Sequence, residues 1–113
     1  GVALKICERI DVHANAEEQM VYPALRDGVT TGRDLADEAE RKHAQARELI
    51  ARIKHASDDE HLAALVGELK EAVEHHVAEE EGTVFPKMER DLGLLEMDVL
   101  GAQVEEFKSS ALR

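Results

Sequence analysis

Two stretches of the chain carry histidine and glutamate at one repeated spacing. His13 and Glu17 lie in the first stretch and His76 and Glu80 in the second, and both stretches fit the pattern H-x3-E-E-x2-V-aromatic-P. Residues four apart lie about one turn apart on the same face of an α-helix, so each histidine projects beside its glutamate. Two such pairs on facing helices would gather two imidazoles and two carboxylates, which is how a helical bundle builds a metal site in its core.

The elements that must hold these pairs are predicted to be helices. The 113 residues suit a single domain over residues 1–113. The chain is 43% apolar, with two prolines, seven glycines and few aromatic residues. This composition favours helices over strands. We therefore predict an all-α fold.

The first half of the chain is predicted to hold two helices. The first should end near Tyr22, because Pro23 cannot donate to the preceding turn. A loop with two glycines follows, and Thr31 with Asp34 makes a plausible capping pair for the second helix. The chain is already in helical register just after Gly1, which predicts a domain that is incomplete at its N-terminal end.

The second half is predicted to hold a third helix and a shorter last one. The segment Ser57–Glu60 fits a capping box for the third helix, with acids at its positive end. Gly82 and Pro86 should bend or end that helix. Gly93 should then break the chain before a last helix over about residues 95–112, which carries no histidine and is given a packing role.

Five ionisable residues fall on the apolar stripes of these helices instead of on their polar faces: His13, Glu17, His43, His76 and Glu80. One histidine in a stripe is usually a core residue with a satisfied partner, and one glutamate usually extends to solvent. The set is different, because burying an unpaired carboxylate costs several kcal/mol out of a total stability of about 5–15 kcal/mol. No Lys or Arg lies on these stripes. We therefore predict that these residues bind metal.

The type of ligand narrows the choice of metal. Three imidazoles and two carboxylates without a thiolate form a mixed nitrogen and oxygen set. A structural zinc site more often uses cysteine, and calcium or magnesium is bound through oxygen with little imidazole. Iron or manganese fits best, and two glutamates that can bridge favour two ions.

The two motifs, with His43 in an E-x2-H stretch between them, carry a family resemblance. The chain resembles the hemerythrin-like HHE cation-binding family over nearly its whole length. The resemblance implies an antiparallel four-helix bundle of hemerythrin type, here without its N-terminal helix and with a short C-terminal helix. It also implies two iron ions, joined by an oxo or hydroxo bridge, with glutamates bridging them and oxygen-derived species binding there.

The five residues on the apolar stripes are also those that match the family's metal ligands by position. His13 and Glu17 match the first H-x3-E motif, His43 matches the intermediate histidine, and His76 and Glu80 match the second motif. The family usually supplies a further histidine from a preceding helix, which this chain does not contain. Oxygen-carrying hemerythrins also have a second histidine one turn after the intermediate one.

One turn after His43, where oxygen-carrying hemerythrins have that second histidine, this chain has Arg47. Oxygen storage is therefore less favoured than a more open, reactive site. We expect a non-haem di-iron protein that binds or reacts with oxygen, peroxide or nitric oxide, and an oxidoreductase activity is left open. The alternative is an iron- or oxygen-sensing regulatory module whose metal occupancy sets its fold. A hydrolase using metal-bound water ranks last, because no independent nucleophile stands out.

Several neighbouring side chains have two interpretations. Tyr22 is predicted to pack in the core, because an ideal helix places it roughly 140° from Glu17, although a helix distorted before Pro23 could turn it toward metal. Glu18 and Glu81 could accept hydrogen bonds from ligand N–H groups, but exposed surface acids are the favoured interpretation.

A ferritin-type di-iron bundle would need paired E-x2-H motifs. Glu40 and His43 form one such pair, and there is no second. That scaffold is therefore ranked well below the hemerythrin type.

Charge and cysteine content bear on partners and location. The net charge of −11 argues against nucleic acid as a partner, and no run of apolar residues is long enough to span a membrane. The single cysteine, Cys7, is predicted to be a buried core residue and excludes an internal disulfide. A reducing, cytoplasmic location is therefore expected.

Overall fold

The computed structural model describes residues 2–112, which form helices and short connections with no β-strand among them. The α-helices are α1 (Val2–Ala16), α2 (Tyr22–Gly28), α3 (Gly32–Lys54), α4 (Asp59–Glu79), α5 (Phe85–Leu92) and α6 (Leu94–Ala111). A first π turn, Glu17–Val21, joins α1 to α2 without a break, and a second π turn, Glu80–Val84, joins α4 to α5. The described chain therefore runs as four continuous helices.

These four helices pack as a bundle. Helix α3 packs against α1, α2 and α4, whereas α6 packs against α1, the first π turn and α5. Helix α2 also packs against α5. The predicted all-α bundle of hemerythrin type is confirmed. None of the described helices is both long and apolar enough to cross a membrane.

The predicted end of the first helix was wrong. The helix continues past Tyr22 and Pro23 to Gly28, because the π turn accommodates the proline. In the π turn the backbone N–H of Tyr22 reaches back to the carbonyl of Glu17, five residues earlier. Pro23 then occupies the first turn of α2, where its missing N–H is tolerated.

The same construction occurs before Pro86, in the first turn of α5. There the N–H of Phe85 bonds to the carbonyl of Glu80, and the chain stays helical to Leu92. The helix therefore does not end at Gly82 or Pro86, but passes through the π turn and continues. Gly93, with φ of +89°, breaks the chain as predicted, and α6 begins one residue earlier than expected.

The two predicted caps differ in outcome. Thr31 adopts the left-handed conformation with φ of 62° and makes no capping hydrogen bond, so its predicted pairing with Asp34 was wrong. A capping side chain needs an extended backbone at that position. Asp58 does cap α4, since its Oδ1 accepts a hydrogen bond of 2.7 Å from the backbone N–H of His61. The predicted capping box began one residue too early, at Ser57.

Two apolar clusters form the core. The first contains Tyr22, Leu25 and Met88, and the second contains Leu69 and Cys7, which is buried as predicted. The two clusters consist of residues from opposite ends of the long helices. The paired histidines and glutamates lie between them along the chain, at the middle of the bundle.

Gly32 allows the close approach that joins α2 to α3. A Cβ at Gly32 would lie 1.8 Å from the backbone oxygen of Leu25. We expect Gly32→Ala to lower the free energy of unfolding by about 1–3 kcal/mol, because backbone has to move to relieve the overlap. Chemical denaturation measures this change.

The matched control is Gly67→Ala on α4, where the added Cβ would meet nothing within 4 Å. This variant should gain about 0.5–1 kcal/mol through helix propensity. Equal stabilities of the two variants would contradict the packing argument.

Candidate metal centre

The structure brings the five predicted ligand residues together at the middle of the bundle. Glu17 and Glu80 lie in the two π turns and are 2% and 3% exposed. His43 on α3 and His76 on α4 are also buried. His13 on α1 differs, since its side chain is 42% exposed. The expected burial holds for four residues, and the fifth lies at the edge of the site.

Glu17 is the centre of this group. Its Oε1 lies 3.2 Å from Nε2 of His13, 3.2 Å from Nε2 of His43 and 3.5 Å from Nε2 of His76. The Nε2 atoms of His43 and His76 are themselves 3.2 Å apart. Three imidazoles from three helices therefore face one carboxylate oxygen.

The potential ligand atoms form two overlapping groups. One contains Glu17, His43 and His76, and the other contains His13, Glu17 and Glu80. Within each group the ligand atoms lie within 4.8 Å of one another. Glu17 belongs to both groups, so one carboxylate could contact two ions.

The two carboxyl groups have opposite pKa shifts. Burial raises the pKa of Glu80 to about 10, helped by its hydrogen bond with Glu17 and the negative charge there, while Lys108 on α6 acts in the opposite direction. Burial also acts to raise the pKa of Glu17, but hydrogen bonds from His13 and other imidazoles outweigh it and hold that pKa far below its usual range. Without metal, Glu17 is the charged member of the pair.

One atom of the pair has no partner among the described residues. Oε2 of Glu80 is buried and accepts no hydrogen bond. The ion pairs of Glu17 and Glu80 within residues 2–112 are all with imidazoles. A cation would satisfy Oε2 and neutralise both carboxylates, so the residues present fit a bound metal.

Comparison with known proteins agrees with a bound metal. The sequence matches the family described as Hemerythrin HHE cation binding domain, over residues 2–88 and again over residues 42–109. The chain belongs to the hemerythrin HHE cation-binding family. Membership implies metal-ion binding, and the two His/Glu groups could hold the ions. No curated protein and no solved structure gave a significant match.

Tyr22 lies beside the candidate ligands, as the less favoured of its two interpretations, a helix distorted before Pro23, had allowed. Its hydroxyl lies 3.1 Å from Nε2 of His43 and 3.3 Å from Nε2 of His76, and donates to Oε1 of Glu17 at 3.4 Å. The prediction of simple core packing assumed an α-helix. In the π turn, residues five apart lie near one another, which rotates Tyr22 toward Glu17. The repeated V-aromatic-P ending of the motif was the available signal.

Burial raises the pKa of Tyr22, and the negative charges of Glu17 and Glu80 raise it further. The phenol therefore stays protonated at neutral pH. Its counterpart in the second motif, Phe85, has no hydroxyl. The second motif thus has no phenolic hydroxyl at this position.

Glu18 was predicted to be a solvated surface acid, and that favoured interpretation was wrong. Its Oε2 accepts a hydrogen bond of 2.9 Å from Nδ1 of His43. Arg47, which stands where oxygen carriers have a histidine, lies 2.8 Å from the same oxygen. Glu81, the corresponding acid of the second motif, is exposed as predicted.

The remaining histidines and the ferritin-type alternative lie away from the centre. His55, His61 and His75 are exposed. Glu40 is also exposed and pairs with Arg26. The E-x2-H pair therefore does not place its glutamate in the core.

A cavity of about 380 Å³ leads to the centre between α1, α3 and α4. Its walls include Ile6, Ile10 and Val73, and its lining also includes His13 and His76. Small molecules could reach the histidines through this largely apolar space.

The pKa of Glu80 predicts how the metal-free protein responds to pH. The unfolded chain loses this proton near pH 4.5, whereas the folded chain keeps it to about pH 10. The folded state binds more protons in between, so this group lowers the free energy of unfolding as pH rises. Glu80→Gln cannot ionise, so the metal-free variant should lose less stability between roughly pH 5 and pH 9. Urea denaturation of chelator-treated protein measures both slopes.

The exposed neighbour provides the control, because Glu81→Gln should keep the wild-type slope. In metal-loaded protein, Glu80→Gln should instead be less stable than the wild type, because a carboxylate that could bind the ion is lost. Equal pH slopes for the wild type and Glu80→Gln would show that Glu80 ionises normally in the folded state.

Proposed function

We propose that this protein is a non-haem di-iron protein that binds or reacts with oxygen, peroxide or nitric oxide. The observation that carries the proposal is the pair of overlapping His/Glu groups that share the buried Glu17. One ion would be held by Glu17, His43 and His76, and the other by His13, Glu17 and Glu80. A mixed nitrogen and oxygen set without cysteine suits iron better than structural zinc.

Within residues 2–112 each proposed ion has three candidate ligands, and a small molecule would occupy a further position. Iron supplies redox chemistry and a binding position for a diatomic molecule or peroxide when it is bound there. The cavity provides a route for such ligands, since His13 and His76 contribute to its lining. The proposed partners are these small molecules, with no role for nucleic acid or a membrane.

The chain's own contribution to reactivity would come from Tyr22. Tyr22 is the single tyrosine of the sequence, and its hydroxyl lies 3.1 Å from Nε2 of His43. Burial keeps the pKa of this hydroxyl above its usual range, so the hydroxyl stays protonated at neutral pH and can act as a hydrogen-bond donor. We propose that it donates a hydrogen bond to a small molecule bound at the centre.

Adjacent histidines on α4 allow a sharp test. His76 is buried in the site and His75 is exposed. Anaerobic loading with iron(II) should give two ions per wild-type chain, and air, peroxide or nitric oxide should change the charge-transfer absorption. His76→Ala should lose the ion proposed to be held by Glu17, His43 and His76, and with it much of this absorption, because one of its three ligands is removed.

His75→Ala serves as the matched control and should behave as the wild type. Metal analysis and optical spectra of the three proteins give the answer. A colourless wild-type protein with stoichiometric zinc and no iron would overturn the di-iron proposal. Equal loss in both variants would place the ligand role elsewhere on α4.

A second candidate function is an iron- or oxygen-sensing module whose metal occupancy sets its fold. The buried Oε2 of Glu80 has no partner among the described residues, and the Glu80 side chain interacts with the buried Glu17; both observations favour this function. Without a cation, the bundle must keep two carboxyl groups in its interior, which costs stability.

The sensor function predicts a large structural response to metal. Removing the metal should lower the melting temperature and expose the long helices to protease, and restoring iron should reverse both effects. Circular dichroism and limited proteolysis measure this, with Glu17→Gln/Glu80→Gln as the control whose metal-free form no longer buries the two acids. A metal-free wild type that melts with the loaded protein would exclude the sensor and leave the reactive site as the function.

A further inference from the structure

His43 is held from behind by a carboxylate. Its Nδ1 lies 2.9 Å from Oε2 of Glu18, while its Nε2 faces Glu17 at 3.2 Å. An imidazole that donates Nδ1–H to a carboxylate keeps its lone pair on Nε2. The contact therefore fixes the ring orientation and leaves Nε2 as the nitrogen that a metal ion would bind, in place of the proton that Nε2 shares with Glu17.

Glu18 is itself held in place. Arg47 on α3 contacts Oε2 of Glu18 through Nη1 at 2.8 Å and Oε1 at 3.2 Å. The Nη2 of Arg47 donates to Oδ1 of Asn15 at 2.8 Å, and its Nε lies 3.9 Å from Asp11. These contacts tie α3 to α1 and the first π turn, so Glu18 cannot easily turn away from His43.

The second motif lacks this arrangement. Glu81 occupies the position that corresponds to Glu18 but is exposed. Within residues 2–112, the hydrogen bonds and ion pairs of the other two candidate ligands, His13 and His76, involve Nε2 only. Two equivalent positions of the repeat therefore have different roles.

We propose that Glu18, held by Arg47, is a positioning residue that makes the two metal positions unequal. The position that uses His43 has an imidazole backed by a carboxylate, which orients the ring and makes it a stronger donor. The position that uses His13 and Glu80 has no such support. The first position therefore binds its ion more tightly and favours the more oxidised metal. This inference rests on the two-ion site proposed above.

Stepwise metal titration tests the inequality. Cobalt(II) is the probe, because its visible spectrum reports nitrogen and oxygen ligation without requiring iron. The wild type should bind two ions with different affinities. Glu18→Ala should weaken the tighter step about 10- to 100-fold, and Glu18→Gln should weaken it less, because the amide oxygen can still accept from Nδ1–H. The matched Glu81→Ala should leave both steps unchanged.

A reduction potential separates positioning from simple destabilisation. In iron-loaded protein, Glu18→Gln should raise the midpoint potential of one ion, because the donor loses the negative charge behind it. Glu81→Gln should leave the potential unchanged. Arg47→Gln should change the midpoint potential in the same direction as Glu18→Gln, but by less. Circular dichroism should give the same helical content for the wild type and for the variants of Glu18, Glu81 and Arg47.

The outcomes distinguish the two proposals. A wild type that binds two cobalt ions equally, or a Glu18→Ala variant that matches Glu81→Ala, overturns the positioning role and leaves the di-iron proposal standing. Two unequal cobalt sites with no uptake of iron overturn the iron function and support the positioning role. A wild type that binds no metal overturns both.

Discussion

Two carboxyl groups meet in the interior of the bundle, and the arrangement around them reflects the need to stabilise them. Glu17 remains charged because three imidazoles from three helices surround its Oε1. Glu80 holds a proton, since burial and the charge of Glu17 raise its pKa to about 10. Protonation of Glu80 and hydrogen bonds from imidazoles to Glu17 thus reduce the repulsion between the two acids. A bound cation would remove it by neutralising both acids, which is why membership in a cation-binding family and the geometry of the core agree.

The two π turns are the backbone feature that makes this arrangement possible. Each begins at the glutamate of the motif and ends just before the aromatic residue and the proline. The wider turn accommodates the proline and keeps the helix continuous, so apolar packing continues on both sides of the acids. It also reorients the residues after it, and in the first motif it brings the hydroxyl of Tyr22 into the site. π turns are associated with functional sites because they change which residues share a face.

The repeated motif does not produce a symmetric centre. Tyr22 brings a hydroxyl to the site while Phe85 cannot, and Glu18 contacts His43 while Glu81 faces solvent. Half-exposed His13 stands at one edge, and the cavity opens along α1, α3 and α4. The pattern of the helices is thus repeated, but the chemical surroundings of the two halves differ. A site with unequal halves can hold one ion firmly and leave the other more accessible.

The sequence by itself determined the helical class and the pairing of His13 with Glu17 and of His76 with Glu80, because a spacing of four residues is a local property of one helix. The apolar stripe of the second predicted helix also indicated that His43 is buried. The break at Gly93 and the burial of Cys7 were also predictable, because glycine disfavours a helix interior and the helical neighbours of Cys7, Ala3 and Ile10, are apolar. Only the tertiary structure decided the parts that depend on contacts between helices or on departures from α geometry. The hydroxyl of Tyr22 reaches the site through a π turn, which the 3.6-residue period does not describe. Glu18 meets His43 and Arg47 across two helices, and the exposure of His13 depends on what covers α1. Pairings between elements far apart in sequence arise from packing, and no single helical pattern contains them.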